Sequence, residues 1–175
     1  MNSLIPISSS CFRATGDYKI FTAEMRCQLI EAARRAPVRR ARINFHPADG
    51  SPVQEMIIAM CSNTEISIHQ HTGKSESFNV LEGRVVIGLY DSDGRLFDMV
   101  DLNGGNGPRY YRLDCAIPHL VSPLSDIVII HETTVGPFDL QRHHEQPTWS
   151  CSVNISAYRS ELQRLVDRKD EIANR

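Results

Sequence analysis

The chain has 175 residues, of which 41% are hydrophobic and 23% charged, and its formal net charge is -2. Those figures describe one soluble globular domain with enough apolar residues for a core, and the lack of a basic surplus argues against nucleic acid as a partner. No stretch approaches the roughly 18 consecutive apolar residues of a membrane span, so a membrane partner is not expected either.

The opening MNSLIPISSSC has too short an apolar run and no basic lead for a secretory leader, so it reads as a frayed or edge-pairing N-terminus. Five cysteines, Cys11, Cys27, Cys61, Cys115 and Cys151, are scattered, odd in number and without a C-x-x-C pair. That usage fits a reduced, cytoplasmic setting. Lys19-Ile20-Phe21 reads as a short extended piece. Thr22 then offers a hydroxyl cap to a helix, AEMRCQLIEAARRA, that places Met25, Leu29, Ile30 and Ala33 along one side and ends at Pro37. The basic run Arg34, Arg35, Arg39, Arg40 and Arg42 reads first as a solvated helix end, with phosphate binding by Arg39, Arg40 or Arg42 as the alternative.

Ala41 to His46 alternates, with Ile43 and Phe45 on one face and Arg42, Asn44 and His46 on the other, which predicts a half-buried strand. Ser51-Pro52 resembles a helix cap followed by a first-turn proline, and predicts a short second helix with Val53, Met56, Ile57 and Met60 inward. From Glu65 onward short strands and turns follow one another. Strands are predicted at Arg84 to Tyr90, Arg95 to Leu102, Arg109 to Leu113, His119 to Val121, Asp126 to Thr133 and Ser152 to Ser156, the pattern of a sandwich or barrel. Tyr158 to Ile172 closes the chain as a helix with a narrow stripe of Leu162, Leu165 and Val166, lying on the domain or pairing with a second subunit.

The stretch that carries chemistry is IHQHTGKSESFNVLEG, Ile68 to Gly83. His69 and His71 are two apart, so an extended backbone sends both imidazoles the same way. Gly73 lets the chain bend and return the carboxylate of Glu76 to the same pocket. Two imidazoles and a carboxylate suit a divalent cation with coordination positions left open. A further ligand must come from elsewhere, and His119, entering a strand after Ile117-Pro118, is the best candidate. Lys74, Tyr111, Arg42 and His46 are candidates for substrate contact. His131 and Glu132 fall on opposite faces of their strand, so at most one looks inward; His143 and His144 read as solvent-facing.

H-x-H-x4-E-x6-G, with a strand at Phe78 to Leu81 before the turn at Gly83, resembles the first signature of the cupin superfamily. Asn63 stands where that signature has a glycine, and asparagine tolerates the left-handed backbone. In the second signature a histidine completes the metal site. Its other positions are here Pro108, Asp114, Ala116 and Pro123. KSESF, LEG, RYYRL, PH-x-V-x-PLSDIV, ET-x-x-GPFD and VQEMIIAM together resemble the WbuC family of cupin-fold metalloproteins, over about Arg42 to Asp139. The resemblance puts the second-signature histidine at His119. It also implies a bacterial protein associated with surface-polysaccharide genes.

The expected architecture is therefore mainly β, a single cupin (double-stranded β-helix or jelly-roll) barrel at 63–157. An N-terminal helical and strand extension at 1–62 packs on it, and a C-terminal helix occupies 158–175. One divalent ion (Fe, Zn, Mn or Ni) on His69, His71, Glu76 and His119 would polarise a small oxygen-rich molecule such as a sugar, sugar nucleotide or sugar acid. Isomerase, epimerase or dioxygenase chemistry follows from that site. The competing reading is a non-catalytic metal- and ligand-binding module. A homodimer is the expected assembly if there is one.

Overall fold

Strand alternation sets the architecture. The structure, a computed structural model, describes residues 3–137 and 145–174. Ten strands form two sheets, a seven-stranded one in the order β1-β2-β3-β4-β10-β5-β8 and a three-stranded one in the order β7-β6-β9. β1 (Leu4–Ser8) and β2 (Cys11–Ala14) form a hairpin at the edge, so the N-terminus pairs rather than frays. α1 (Ala23–Arg35) follows, capped by the Thr22 hydroxyl, which accepts from the Met25 N–H. Then come β3 (Arg40–Asn44), β4 (Val53–Cys61), β5 (Glu76–Glu82), β6 (Arg84–Tyr90), β7 (Leu96–Asn103), β8 (Tyr110–Leu113), β9 (His119–Pro123), β10 (Ile127–Val135) and α2 (Ile155–Ala173).

Odd-numbered residues of the large sheet, Ala41, Ile43, Ile57, Ala59, Cys61 and Ile129, pack with Met25, Leu29, Ile30 and Ala33 of α1. Even-numbered residues of β4, β5 and β10 face the other way, and Met60, Phe78, Val80, Val128 and Ile130 meet Val85, Ile87, Leu89 and Val121 of the small sheet. On the outer side of the small sheet Val86, Tyr90 and Leu120 meet Leu162 and Val166 of α2. The result is helix, sheet, core, sheet, helix, with the two sheets closing as a jelly roll.

Four expectations need correction. Val53 to Met60 is strand, not helix: β4 pairs with β10 along its full length on one side and with β3 over Met56 to Met60 on the other. A run of Val, Ile and Met buried on both faces has no period of two, so its local pattern is that of a buried helix until its neighbours are known. Ser51 does not cap a helix; its hydroxyl accepts from the Ala48 N–H and closes the turn before β4. Ser152 to Ser156 is not a strand, because a 3-10 turn (Thr148–Ser152) runs into the Asn154 cap of α2. Asn63 does not take the left-handed conformation; among the described non-glycine residues only Arg39 has a positive φ.

α2 lies on the barrel and spends its apolar stripe there. Leu162 is fully buried, with its methyl groups over Gly88. Arg84 adds a bridge, bonding Asp101 on β7 and Asp170 on α2. Leu162→Ala is expected to cost about 2–5 kcal/mol of stability in urea unfolding, since the truncated methyls leave a cavity between two rigid layers. A loss below about 0.5 kcal/mol, the size of an ordinary surface change, would mean that α2 is not docked this way.

Candidate metal centre

The segment before β5 is not a strand. It is held to the barrel by two isolated bridges, His69 to His119 and Gln70 to Glu145. In the first, the His69 N–H donates to the His119 carbonyl at 3.1 Å and the His119 N–H donates to the His69 carbonyl at 2.8 Å. This backbone pairing brings together two histidines that stand fifty positions apart in sequence. Ring centroids lie 4.4 Å apart for His69 and His119, 5.0 Å for His69 and His71, and 5.5 Å for His71 and His119. Gly73, with φ +74, makes the left-handed turn that returns the chain to β5. Glu76 begins that strand, buried, with one carboxylate oxygen 3.1 Å from His71 Nε2 and the other 3.0 Å from His119 Nε2.

His69 Nδ1 is 2.8 Å from the Ser67 carbonyl and His119 Nδ1 is 2.8 Å from the Ile117 carbonyl. A carbonyl only accepts, so both Nδ1 atoms carry the proton and both Nε2 atoms keep a lone pair for the site. Metal-bound imidazoles are commonly oriented by such a backbone contact. Burial, then the neighbouring His119, pushes His69 down to about 3, which keeps it neutral at ordinary pH. Burial alone raises the Glu76 carboxyl, but the two adjoining imidazoles more than reverse this and hold it below the usual carboxylate range.

The residues fit a metal ion. Glu76 Oε1 and His119 Nε2 are buried and close, yet neither makes a hydrogen bond of acceptable geometry. Two donors at bonds of about 2.1 Å and a right angle at the ion stand about 3.0 Å apart, the spacing Glu76 has to each imidazole. The donor atoms of His69, His71 and His119 all lie within 4.8 Å of one another. Adding the carboxylate gives a mixed nitrogen and oxygen set suited to a borderline divalent cation.

The cluster borders a cavity of about 860 Å³ between the sheets, lined in part by Arg40, Arg42, His46, Lys74 and Glu132. Arg42, His46 and Lys74 are thus on the cavity wall. His46 is buried, with Nδ1 3.1 Å from both the N–H and the carbonyl of Glu55, and burial lowers its pKa. The Lys74 ammonium donates to the Val135 carbonyl at 3.3 Å. Tyr111 points inward but sits in the core against Phe78 at 5.8 Å between ring centroids, not on the cavity lining. Its buried hydroxyl has no hydrogen-bond partner, and burial raises its pKa. His131 faces outward, 3.7 Å from Glu55 Oε1. His143 and His144 lie outside the described residues.

Glu132 is the residue that sequence reasoning left open. Even-numbered positions of β10 face the cavity, so Glu132 is the inward member of the His131-Glu132 pair, opposite Met56 on one side and Phe78 on the other. Burial, and then the Glu76 carboxylate, pushes it up to about 7. The parity of Ile130, an apolar core residue two positions earlier, was the available signal.

The family described as a domain of unknown function (DUF6016) matches residues 21–102. No curated protein matches the chain in sequence. Among solved structures, two of CapF match with a TM-score of 0.55 and 17% identity over 64% of this chain. One is described as CapF with the inhibitor 3-isopropenyl-tropolone, the other as the capsular polysaccharide assembling protein CapF from Staphylococcus aureus. The match spans about a third of the CapF chain, 32% and 33%. A cupin superfamily protein from Desulfitobacterium hafniense DCB-2 matches at a TM-score of 0.43 and 14% identity, over 55% of this chain and 76% of that one. At such identities the likeness is one of fold. The chain is a single jelly-roll barrel carrying a three-histidine cluster able to hold a metal ion.

Proposed function

We propose that this cupin binds one divalent metal ion through His69, His71, Glu76 and His119 and acts on a small oxygen-rich substrate. The observation that carries the reading is the convergence of three imidazoles and a carboxylate at the wall of a substrate-sized cavity. When bound, such an ion supplies Lewis-acid polarisation of a substrate carbonyl, hydroxyl or carboxylate. The chain's own residues do the rest. Ile117 and Ser67 fix the imidazole tautomers, and Phe78, Ile130 and Val121 give the cavity an apolar wall. Glu132 faces the cavity with a carboxyl that burial and the Glu76 carboxylate push up in the metal-free protein, and it is placed to take or return a proton.

Isomerase- or epimerase-like and dioxygenase-like chemistry on a sugar, sugar nucleotide or sugar acid are the reactions this arrangement serves. The resemblance to the WbuC family and the fold shared with CapF, a capsular polysaccharide assembling protein by its description, support a place in surface-polysaccharide synthesis. Five free cysteines support a reducing, cytoplasmic setting. Among the described residues no helix is long and apolar enough to cross a membrane.

The test is a turnover screen of sugars, sugar nucleotides and sugar acids with the protein loaded separately with zinc, manganese, nickel and iron(II), with and without oxygen. Turnover lost in His71→Ala supports the enzyme. Saturable ligand binding with no turnover under any metal would move the reading to a non-catalytic binding module.

A further inference from the structure

Tyr111 is a tyrosine at a position where packing alone calls for phenylalanine. It lies on β8 directly opposite Phe78 of β5, 7% exposed, in the core that Val80, Val85, Leu113 and Ile130 share. The ring satisfies that packing, but the hydroxyl is buried and has no hydrogen-bond partner. Withdrawing a hydroxyl from water without a partner is unfavourable, and phenylalanine would fill the same space without that cost.

Strand register brings the hydroxyl towards the metal cluster. β5 and β8 run antiparallel, with Glu76 opposite Leu113 and Phe78 opposite Tyr111. Glu76 and Tyr111 are thus diagonal neighbours on the inward face of the pair, about 7–8 Å from Cα to Cα and within reach of an aromatic side chain. After burial itself, the Glu76 carboxylate does most to raise the Tyr111 hydroxyl, ahead of Cys115. A phenol raised in this way keeps its proton at ordinary pH and is available as a donor.

Among the described residues six buried side-chain polar atoms lack a hydrogen-bond partner, and three of them are Glu76 Oε1, His119 Nε2 and the Tyr111 hydroxyl. Binding of an ion accounts for the histidine nitrogen and for one lone pair of the carboxylate oxygen. That oxygen has a second lone pair, and the phenol is a donor without an acceptor. The other carboxylate oxygen already faces His71 Nε2 at 3.1 Å.

We infer that Tyr111 is a positioning residue of the metal centre, whose hydroxyl donates to the Glu76 carboxylate when the ion is bound and fixes the direction in which that carboxylate meets it. The inference rests on the metal reading proposed above. Hydrogen-bond partners of a metal-ligating carboxylate are typically worth about 10- to 100-fold in metal affinity. Tyr111 acts through Glu76 and not on a substrate, in agreement with its place off the cavity lining.

Tyr111→Phe removes one oxygen atom, keeps the ring and tests the inference. Isothermal titration of the metal-free variant with zinc is expected to show binding about tenfold or more weaker than in the wild type. Urea unfolding of the metal-free variant should be unchanged or shifted to higher urea, since the hydroxyl has no partner to lose in that state. The visible spectrum of cobalt(II) bound to the variant should differ from that of the wild type, because the carboxylate is no longer held. Tyr110→Phe, at the exposed neighbouring position on β8, should keep wild-type zinc affinity and a wild-type cobalt spectrum. A wild-type protein that takes up no zinc would overturn the metal reading and this inference together. Zinc uptake by the wild type with affinity or cobalt spectrum unchanged in Tyr111→Phe, or an equal loss in Tyr110→Phe, overturns this inference alone.

Discussion

His119→Ala is expected to lower affinity for divalent metal by well over a hundredfold and leave the purified protein without its ion. The side chain is fully buried and its Nε2 faces Glu76 at 3.0 Å, so no water-exposed group can replace it. Loss of a residue that merely orients a ligand costs about 10- to 100-fold in metal affinity, and loss of a ligand costs more. The backbone pairing of His69 with His119 does not depend on the side chain. The variant should therefore stay folded, at a cost of about 1–3 kcal/mol for the partner left buried beside it. Isothermal titration with zinc and urea unfolding of the metal-free protein separate the two effects. Zinc affinity unchanged from wild type would remove His119 from the site.

Glu132→Gln is expected to make the metal-free protein more stable at neutral pH and to change how its stability depends on pH. The signs follow from two shifted groups. His69 has a folded pKa of about 3 against a usual 6.5, so between these values the unfolded chain binds a proton that the folded one does not. Its contribution is present above pH 6.5 and is lost as pH falls. Glu132 has a folded pKa of about 7 against a usual 4.5, so between these values the folded chain holds the extra proton. Its contribution is present below pH 4.5 and is lost as pH rises.

Between pH 4.5 and 6.5 the two slopes oppose and nearly cancel, and the wild type should be close to flat there. Removing the carboxyl exposes the His69 slope of about 1.4 kcal/mol per pH unit and relieves about 3 kcal/mol of strain near pH 7. Urea unfolding of the metal-free proteins across this range checks both. Parallel curves for wild type and variant would show that Glu132 is not buried beside the cluster.

The donor set was legible because its spacing is local. Two histidines on alternate positions, a left-handed glycine and a carboxylate reach one pocket through a single turn. His119 was nominated from its place at the start of a strand and supported by the family pattern, since the bridge that brings it to His69 spans two distant segments. α1 and its buried face read correctly because period and cap agree with the tertiary packing. β4 did not, because a strand buried on both faces carries no alternation.

For Arg40 and Arg42 the sequence offers both a solvated helix end and a phosphate site, and for Arg42 and His46 substrate contact. Arg42, Asn44 and His46 do share one side, but that side encloses a cavity, and only the closure of two sheets reveals it. Parity along a strand tells which residues go together. It does not tell whether they look at water or at a substrate.

The most direct measurement is X-ray absorption on the wild-type protein after loading with zinc and removal of the excess. About one ion per chain surrounded by three imidazoles and a carboxylate oxygen is the predicted result, with the imidazole signal falling in His71→Ala. A protein that retains no ion, or an ion whose neighbours are unchanged in that variant, would contradict the account.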